Sequence, residues 1–383
     1  MASPSRTKLP IRLLLEFGAY ALASLWLAIW LRAFLAAEWG TAQADVWFLA
    51  AALMLLYQWA HLSLDLRLNR REDQTEVLAS LGLASAISLI RLVSIAFLLG
   101  FLFLPEAPGR LAWLPAFIYL AAILSDLLDG YAARVTNRVT ELGQRLDELL
   151  DGRGLMLVSL LAWHYGRVGW WYLVIGLARY LYLLGLNRRT QRGQPIYDLQ
   201  PNMNRRALAG TQMVFSQIML VPLFSPPETV FVSTLFMIPF LGNFLVDWWQ
   251  VSGNTRALQG WRKVSQRYFQ PLFPAALCLT RAVILVLVLL RALEGGQPIW
   301  VNALELTLAA AIALGWFGRA AAALLLVETG LRQQLGALGP LDWAIFFFAT
   351  LTLFFGTGPR SLRSPEGQWV QKRAGEKLDG EQG

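Results

Sequence analysis

Cysteine is almost absent from this sequence of 383 residues: Cys278 stands alone, inside an apolar run. One thiol excludes a disulfide framework and a thiolate metal site. Histidine is nearly as scarce. His61 and His164 lie far apart, and each reads as a helix-end or packing residue. Charge is also thin, at 15% of residues, where soluble globular chains carry about 25%. No Gly/Ser-rich linker and no short-period repeat divides the chain.

What is abundant is apolar surface. The composition is 56% hydrophobic, with 16 Trp and 21 Phe, and the mean hydropathy is +0.47. Runs long enough to cross a hydrocarbon core of ~30 Å, roughly 20 residues as helix, recur along the chain. A soluble helical protein would need polar faces on most of its helices, and these segments have few. The expected fold is therefore an all-α polytopic membrane protein. The first apolar run, to about Leu35, exceeds the ~7–15 residues of a signal-peptide core and reads as a retained helix.

About twelve membrane helices are expected, near 13–36, 44–64, 77–104, 111–134, 143–165, 169–186, 206–224, 229–250, 272–292, 300–316, 318–332 and 341–356. They group into an N-terminal hairpin (1–72), a central six-helix domain (73–255) and a C-terminal four-helix domain (268–360). A polar tail (361–383) follows. The segment 300–332 carries either two short spans turning at Gly315 to Arg319 or one long tilted helix. The formal charge of +8 could suggest nucleic acid. Most of its Lys and Arg sit in connectors at 65–76, 135–142, 187–206 and 251–269 and in the tail, so anionic lipid headgroups are the simpler partner and no nucleic acid is expected. The same asymmetry places these connectors and the N-terminus in the cytoplasm.

Ionisable residues within membrane helices read as functional. Asp126 and Asp129 end one predicted helix, and Asp147 and Asp151 follow near the start of the next. Spacings of three and four put each pair on one side of its helix, and a short turn between the helices predicts an antiparallel hairpin with all four acids facing one another. Clustered carboxylates repel. A pair of divalent cations resolves this, and oxygen ligands without His or Cys indicate Mg²⁺ or Mn²⁺ over zinc. Two such ions about 4 Å apart suit a phosphoryl displacement. Gly130, Ala133 and Gly143 let a flat base or diphosphate approach the backbone, or serve close helix packing. Arg134 can pair with a phosphate.

The segment Asp126-Leu-Leu-Asp129-Gly130-Tyr-Ala-Ala133-Arg134, eight residues, then Gly143-Gln-Arg-Leu-Asp147-Glu-Leu-Leu-Asp151, resembles the signature of the CDP-alcohol phosphotransferases at every fixed position. Eight residues at roughly 6–7% usage each make a chance match on the order of one per billion windows. The resemblance spans about 76–250. It implies that Asp126, Asp129, Asp147 and Asp151 hold two metal ions and that Asp151 is the general base. It also implies that Gly130 and Arg134 contact the CDP moiety, that Thr140 meets a donor phosphate, and that the protein pairs as a homodimer. The family's Asn-x-x-Thr-x-x-Arg run has Ser85-Ala-Ile-Ser88-Leu-Ile-Arg91 as its counterpart, which keeps hydroxyls and loses the amide. In an isolated reading, such serines bond to their own backbone.

The implied reaction moves a phosphatidyl group from CDP-diacylglycerol, or another CDP-alcohol, to a small polar alcohol, with release of CMP. Glycerol 3-phosphate is the simplest acceptor, and inositol phosphate or another alcohol is the alternative. Arg205 and Arg206 are the candidates to hold the acceptor's phosphate, against the plain reading of a cytoplasmic connector. Asn243 and Asp247 are candidate pocket or interface residues. A non-catalytic scaffold or transporter that retains the fold is the reading from another class. The C-terminal domain is similar to DoxX-like four-helix proteins through Gly318-Arg319-Ala-Ala-Ala and Gly356-Thr-Gly358-Pro-Arg360-Ser-Leu. Its Glu305 and Glu328 read as pocket residues or as partners of Arg281 or Arg319.

Overall fold

Each apolar run folds as one helix. The computed structural model describes residues 9–71, 74–136, 138–199, 203–223, 226, 228–335, 338–358, 361 and 362. Among them are thirteen α-helices and no strand. These are α1 (Ile11–Glu38), α2 (Thr41–Asp65), α3 (Gly82–Leu102), α4 (Leu114–Val135), α5 (Glu141–His164), α6 (Leu173–Gln191) and α7 (Met203–Leu220). They continue as α8 (Glu228–Val251), α9 (Thr255–Val264), α10 (Gln270–Glu294), α11 (Ile299–Leu314), α12 (Gly318–Leu335) and α13 (Pro340–Phe355). Every predicted membrane segment has a helix within a few residues. The addition is α9, inside the basic connector.

Six helices (α1, α2, α3, α4, α8 and α10) are long and apolar enough to cross a membrane, and α11, α13 and the Leu208–Leu220 part of α7 are shorter apolar segments. Large apolar side chains stand open on them, such as Leu22 at 70% and Trp26 at 67% exposure, as lipid-facing surfaces require. The segment 300–332 is two helices. Gly315 ends α11 in the left-handed conformation, and Phe317 also takes a positive φ, of 47°.

The described residues divide after Gly166 into two compact units. In the first, α3 is central and packs against α2, α4 and α5. Trp47 of α2 is wholly buried, lies edge-on to Phe97 at 5.3 Å, and donates its indole N–H to the Phe97 carbonyl at 3.0 Å. Any side chain at Gly100 would collide with that indole, since a Cβ there would lie 2.4 Å from Trp47 Cδ1.

In the second unit, α10 to α13 form a ring in which each helix packs on the next and α13 closes on α10. Buried charge ties the ring together. Arg291 of α10 meets Glu305 of α11 at 2.5 Å, Asp342 of α13 at 2.9 Å and Glu328 of α12 at 3.5 Å. Arg332 of α12 meets Glu305 at 3.1 Å. This corrects the expected partners of Glu305 and Glu328: the acids pair with Arg291 and Arg332. Arg281 instead donates to the carbonyls of Ala313 and Thr357, and the Arg319 guanidinium lies beside Gly356.

Candidate active site

The connector between α2 and α3 sets the start of α5. Arg70 pairs with Glu141 at 3.0 Å, and its carbonyl accepts the Glu141 backbone N–H at 3.0 Å. Arg145 of α5 pairs with Asp65 at 2.9 Å. Asn69, fully buried, donates its side-chain amide to the carbonyls of Leu78 and Ser80. Thr140 caps α5 by accepting the Gly143 backbone N–H at 3.1 Å. A Cβ at Gly143 would stand 3.2 Å from the Thr140 hydroxyl oxygen, so the small residue keeps the cap tight. Both residues thus have a local task in the first turn of the helix that carries Asp147 and Asp151.

The four aspartates converge. Carboxylate oxygens of Asp126, Asp129 and Asp147 lie within 4.8 Å of one another. At the focus is Arg91 of α3, a buried side chain whose guanidinium lies 2.5 Å from Asp126, 2.9 Å from Asp129, 3.0 Å from Asp147 and 2.7 Å from Asp151. The expected hairpin geometry is refined accordingly. Among the described residues, α4 and α5 pack chiefly on α3, and their acids meet across its arginine. Four carboxylates against one guanidinium leave a formal charge of −3.

The two acid pairs differ in access. The side chains of Asp126 and Asp129 are 12% and 9% exposed, whereas those of Asp147 and Asp151 are 46% and 30% exposed. The α4 pair forms a buried floor, and the α5 pair an accessible wall. Ser88 donates to Asp129 at 2.8 Å and also reaches the Ala84 carbonyl at 3.2 Å, so a hydroxyl does stand beside the acids, engaged with a carboxylate. Ser85 is buried one turn earlier on α3, and Gly130 and Ala133 are half-buried on α4. The side chain of Arg134 lies outside the described residues, as do those of Arg205 and Arg206, which fall in the first turn of α7. Asn243 reaches Asp247 at 3.4 Å along α8.

The sequence singles out Arg91 only as the last residue of the Ser85–Arg91 run and names no acidic partner for it. The signal was present: an arginine in an apolar helix, three residues beyond Ser88, cannot face lipid cheaply and needs an acidic partner.

Residues 81–250, which run from the start of α3 to the end of α8, match the CDP-alcohol phosphatidyltransferase family model. This segment belongs to that family. No curated protein and no solved structure matches the chain. At the level of the family, the match implies a CDP-alcohol donor, an alcohol acceptor and membrane phospholipid synthesis. The donor set fits a divalent metal, because it is all oxygen, closely spaced and short of positive charge.

Proposed function

We propose that this protein transfers a phosphatidyl group from CDP-diacylglycerol to the hydroxyl of a small polar acceptor, glycerol 3-phosphate in the simplest case, and releases CMP. The observation that carries this reading is the convergence of four carboxylates on one guanidinium within a phosphatidyltransferase segment. Asp126, Asp129, Asp147 and Asp151 would hold two Mg²⁺ or Mn²⁺ ions. Bound there, the ions supply charge that neutralises the donor diphosphate and the departing CMP.

The side chains divide the remaining work. Asp151 is accessible and held 2.7 Å from Arg91, a position from which it accepts the proton of the attacking hydroxyl. The acceptor oxygen bonds to the lipid-side phosphorus while the phosphorus–oxygen bond to the CMP phosphate breaks. The electron pair leaves with CMP, and the acceptor proton goes to Asp151. Ser88 fixes the orientation of Asp129. Gly130 and Ala133 leave room for the nucleotide. Arg134 serves its phosphates, with Arg205 and Arg206 on the acceptor phosphate. The asymmetry of Lys and Arg along the chain supports a site that opens to the cytoplasm, and the family resemblance supports a homodimer.

The test uses purified protein, Mg²⁺ or Mn²⁺, radiolabelled CDP-diacylglycerol and a panel of acceptors that includes glycerol 3-phosphate and inositol phosphate. The expected result is acceptor-dependent CMP release, reduced at least 100-fold in a folded Asp151→Asn variant, in line with loss of a general base. CMP release with none of the acceptors would replace this reading with that of a scaffold retaining the fold. A folded variant with wild-type turnover would remove Asp151 from the base role.

A further inference from the structure

Between the apolar spans α8 and α10 the chain runs through α9 and a π-helical turn, Ser265–Phe269. From Thr255 to Phe269 it carries Arg256, Arg262, Lys263 and Arg267 and no acidic residue. At helical spacing, Ala257, Trp261, Val264 and Tyr268 fall on one face, and the cations flank it, with Arg256, Lys263 and Arg267 on one side and Arg262 on the other. The Arg267 guanidinium lies 5.6 Å over the Tyr268 ring. No residue of α9 is buried. On the apolar face, Trp261 is 40%, Val264 43% and Tyr268 52% exposed.

A second basic connector lies against the same end of this unit. The Tyr197 backbone N–H donates to the Val251 carbonyl at 3.1 Å, and Arg189 donates to the Ser252 carbonyl at 3.2 Å. Arg188 and Arg192, at the end of α6, are exposed there. Six open cations, Arg188, Arg192, Arg256, Arg262, Lys263 and Arg267, thus stand on two connectors whose single acid is Asp198.

We propose that this end of the second unit is a binding surface for anionic phospholipid. In it, α9 lies along the membrane interface, with its apolar face among acyl chains and its cations on headgroup phosphates. The charge explains attraction to any phosphate. The open Trp261, Val264 and Tyr268 face selects the lipid surface, since a soluble phosphorylated compound leaves that face in water. Position agrees: a helix joining two membrane spans is confined to the interface by its neighbours.

The test uses the full chain in nanodiscs of phosphatidylcholine alone or mixed with phosphatidylglycerol. A fluorophore is placed on cysteine in a Trp261→Cys, Cys278→Ser protein, and lipids retained on detergent extraction are counted by mass spectrometry. The expected result is quenching of the fluorophore by bromine-labelled acyl chains and little quenching by aqueous iodide. Wild-type protein should retain phosphatidylglycerol over phosphatidylcholine at least fivefold above the disc composition. Replacing Arg256, Arg262, Lys263 and Arg267 by Gln should abolish that preference. Ready iodide quenching without acyl-chain quenching would overturn the interfacial placement, and this readout does not depend on the four-Gln protein folding. Unchanged lipid preference in a folded four-Gln protein would overturn the headgroup role, as would displacement of phosphatidylglycerol by millimolar inorganic phosphate.

Discussion

Arg91 is the residue on which the acid cluster depends. Its guanidinium touches carboxylates from both α4 and α5, and breaking such a buried network by removing one partner costs about 3–5 kcal/mol. Arg91→Met should therefore lower the thermal unfolding midpoint in EDTA, and millimolar Mg²⁺ should restore more of the loss than it adds to wild type. A midpoint indifferent to Mg²⁺ in both proteins would count against these carboxylates as ion ligands. Gln58 shows the opposite case. It is 1% exposed on α2, and its side-chain amide nitrogen and oxygen have no hydrogen-bond partner among the described residues. An unsatisfied buried amide costs about 1–3 kcal/mol. Gln58→Leu should accordingly raise the midpoint, and a fall would mean that the amide is engaged in the membrane-embedded protein.

At the scale of elements, helices are held in register by charge placed where lipid cannot screen it. The ring α10 to α13 takes one or more ionised residues from each helix. Arg291→Met should cost about 3–5 kcal/mol, measured by denaturant titration in mixed micelles. Glu328→Gln should cost clearly less, because its contacts with Arg291 and Arg332 are the long ones, 3.5 and 4.0 Å. The reverse order would show that Glu328 is the organising acid. These pairings illustrate what spacing within one helix leaves open. Arg281 is as plausible a partner for Glu305 as Arg291 until the bundle sets which helix ends meet. The Thr140 cap is a related case, since its hydroxyl reads equally as a phosphate contact until the Gly143 N–H is seen to point at it.

For the whole molecule, hydropathy located the helices well because lipid imposes a length and an apolarity on each span. The carboxylate motif was legible for the complementary reason, that charge in such helices is rare enough to stand out. Hidden from both signals were α9, whose apolar and basic residues average to an ordinary connector, and the convergence on Arg91, which depends on three helices at once. Hydropathy alone also understates α5: Glu141, Arg145, Asp147, Glu148, Asp151 and Arg153 crowd its first half, yet it forms one continuous helix through His164.

The close seat of Trp47 against Gly100 bears on where this protein can be cut. The family match begins at residue 81, which invites treating α1 and α2 as a detachable anchor. A chain shortened to that boundary would leave along α3 an indole-wide slot, floored by glycine and bordered by Phe97 and Phe101. It would also strip Arg70 and Asp65 from the start of α5. The evolutionary module and the folding unit therefore have different edges, and a minimal version of this transferase has to begin with the hairpin.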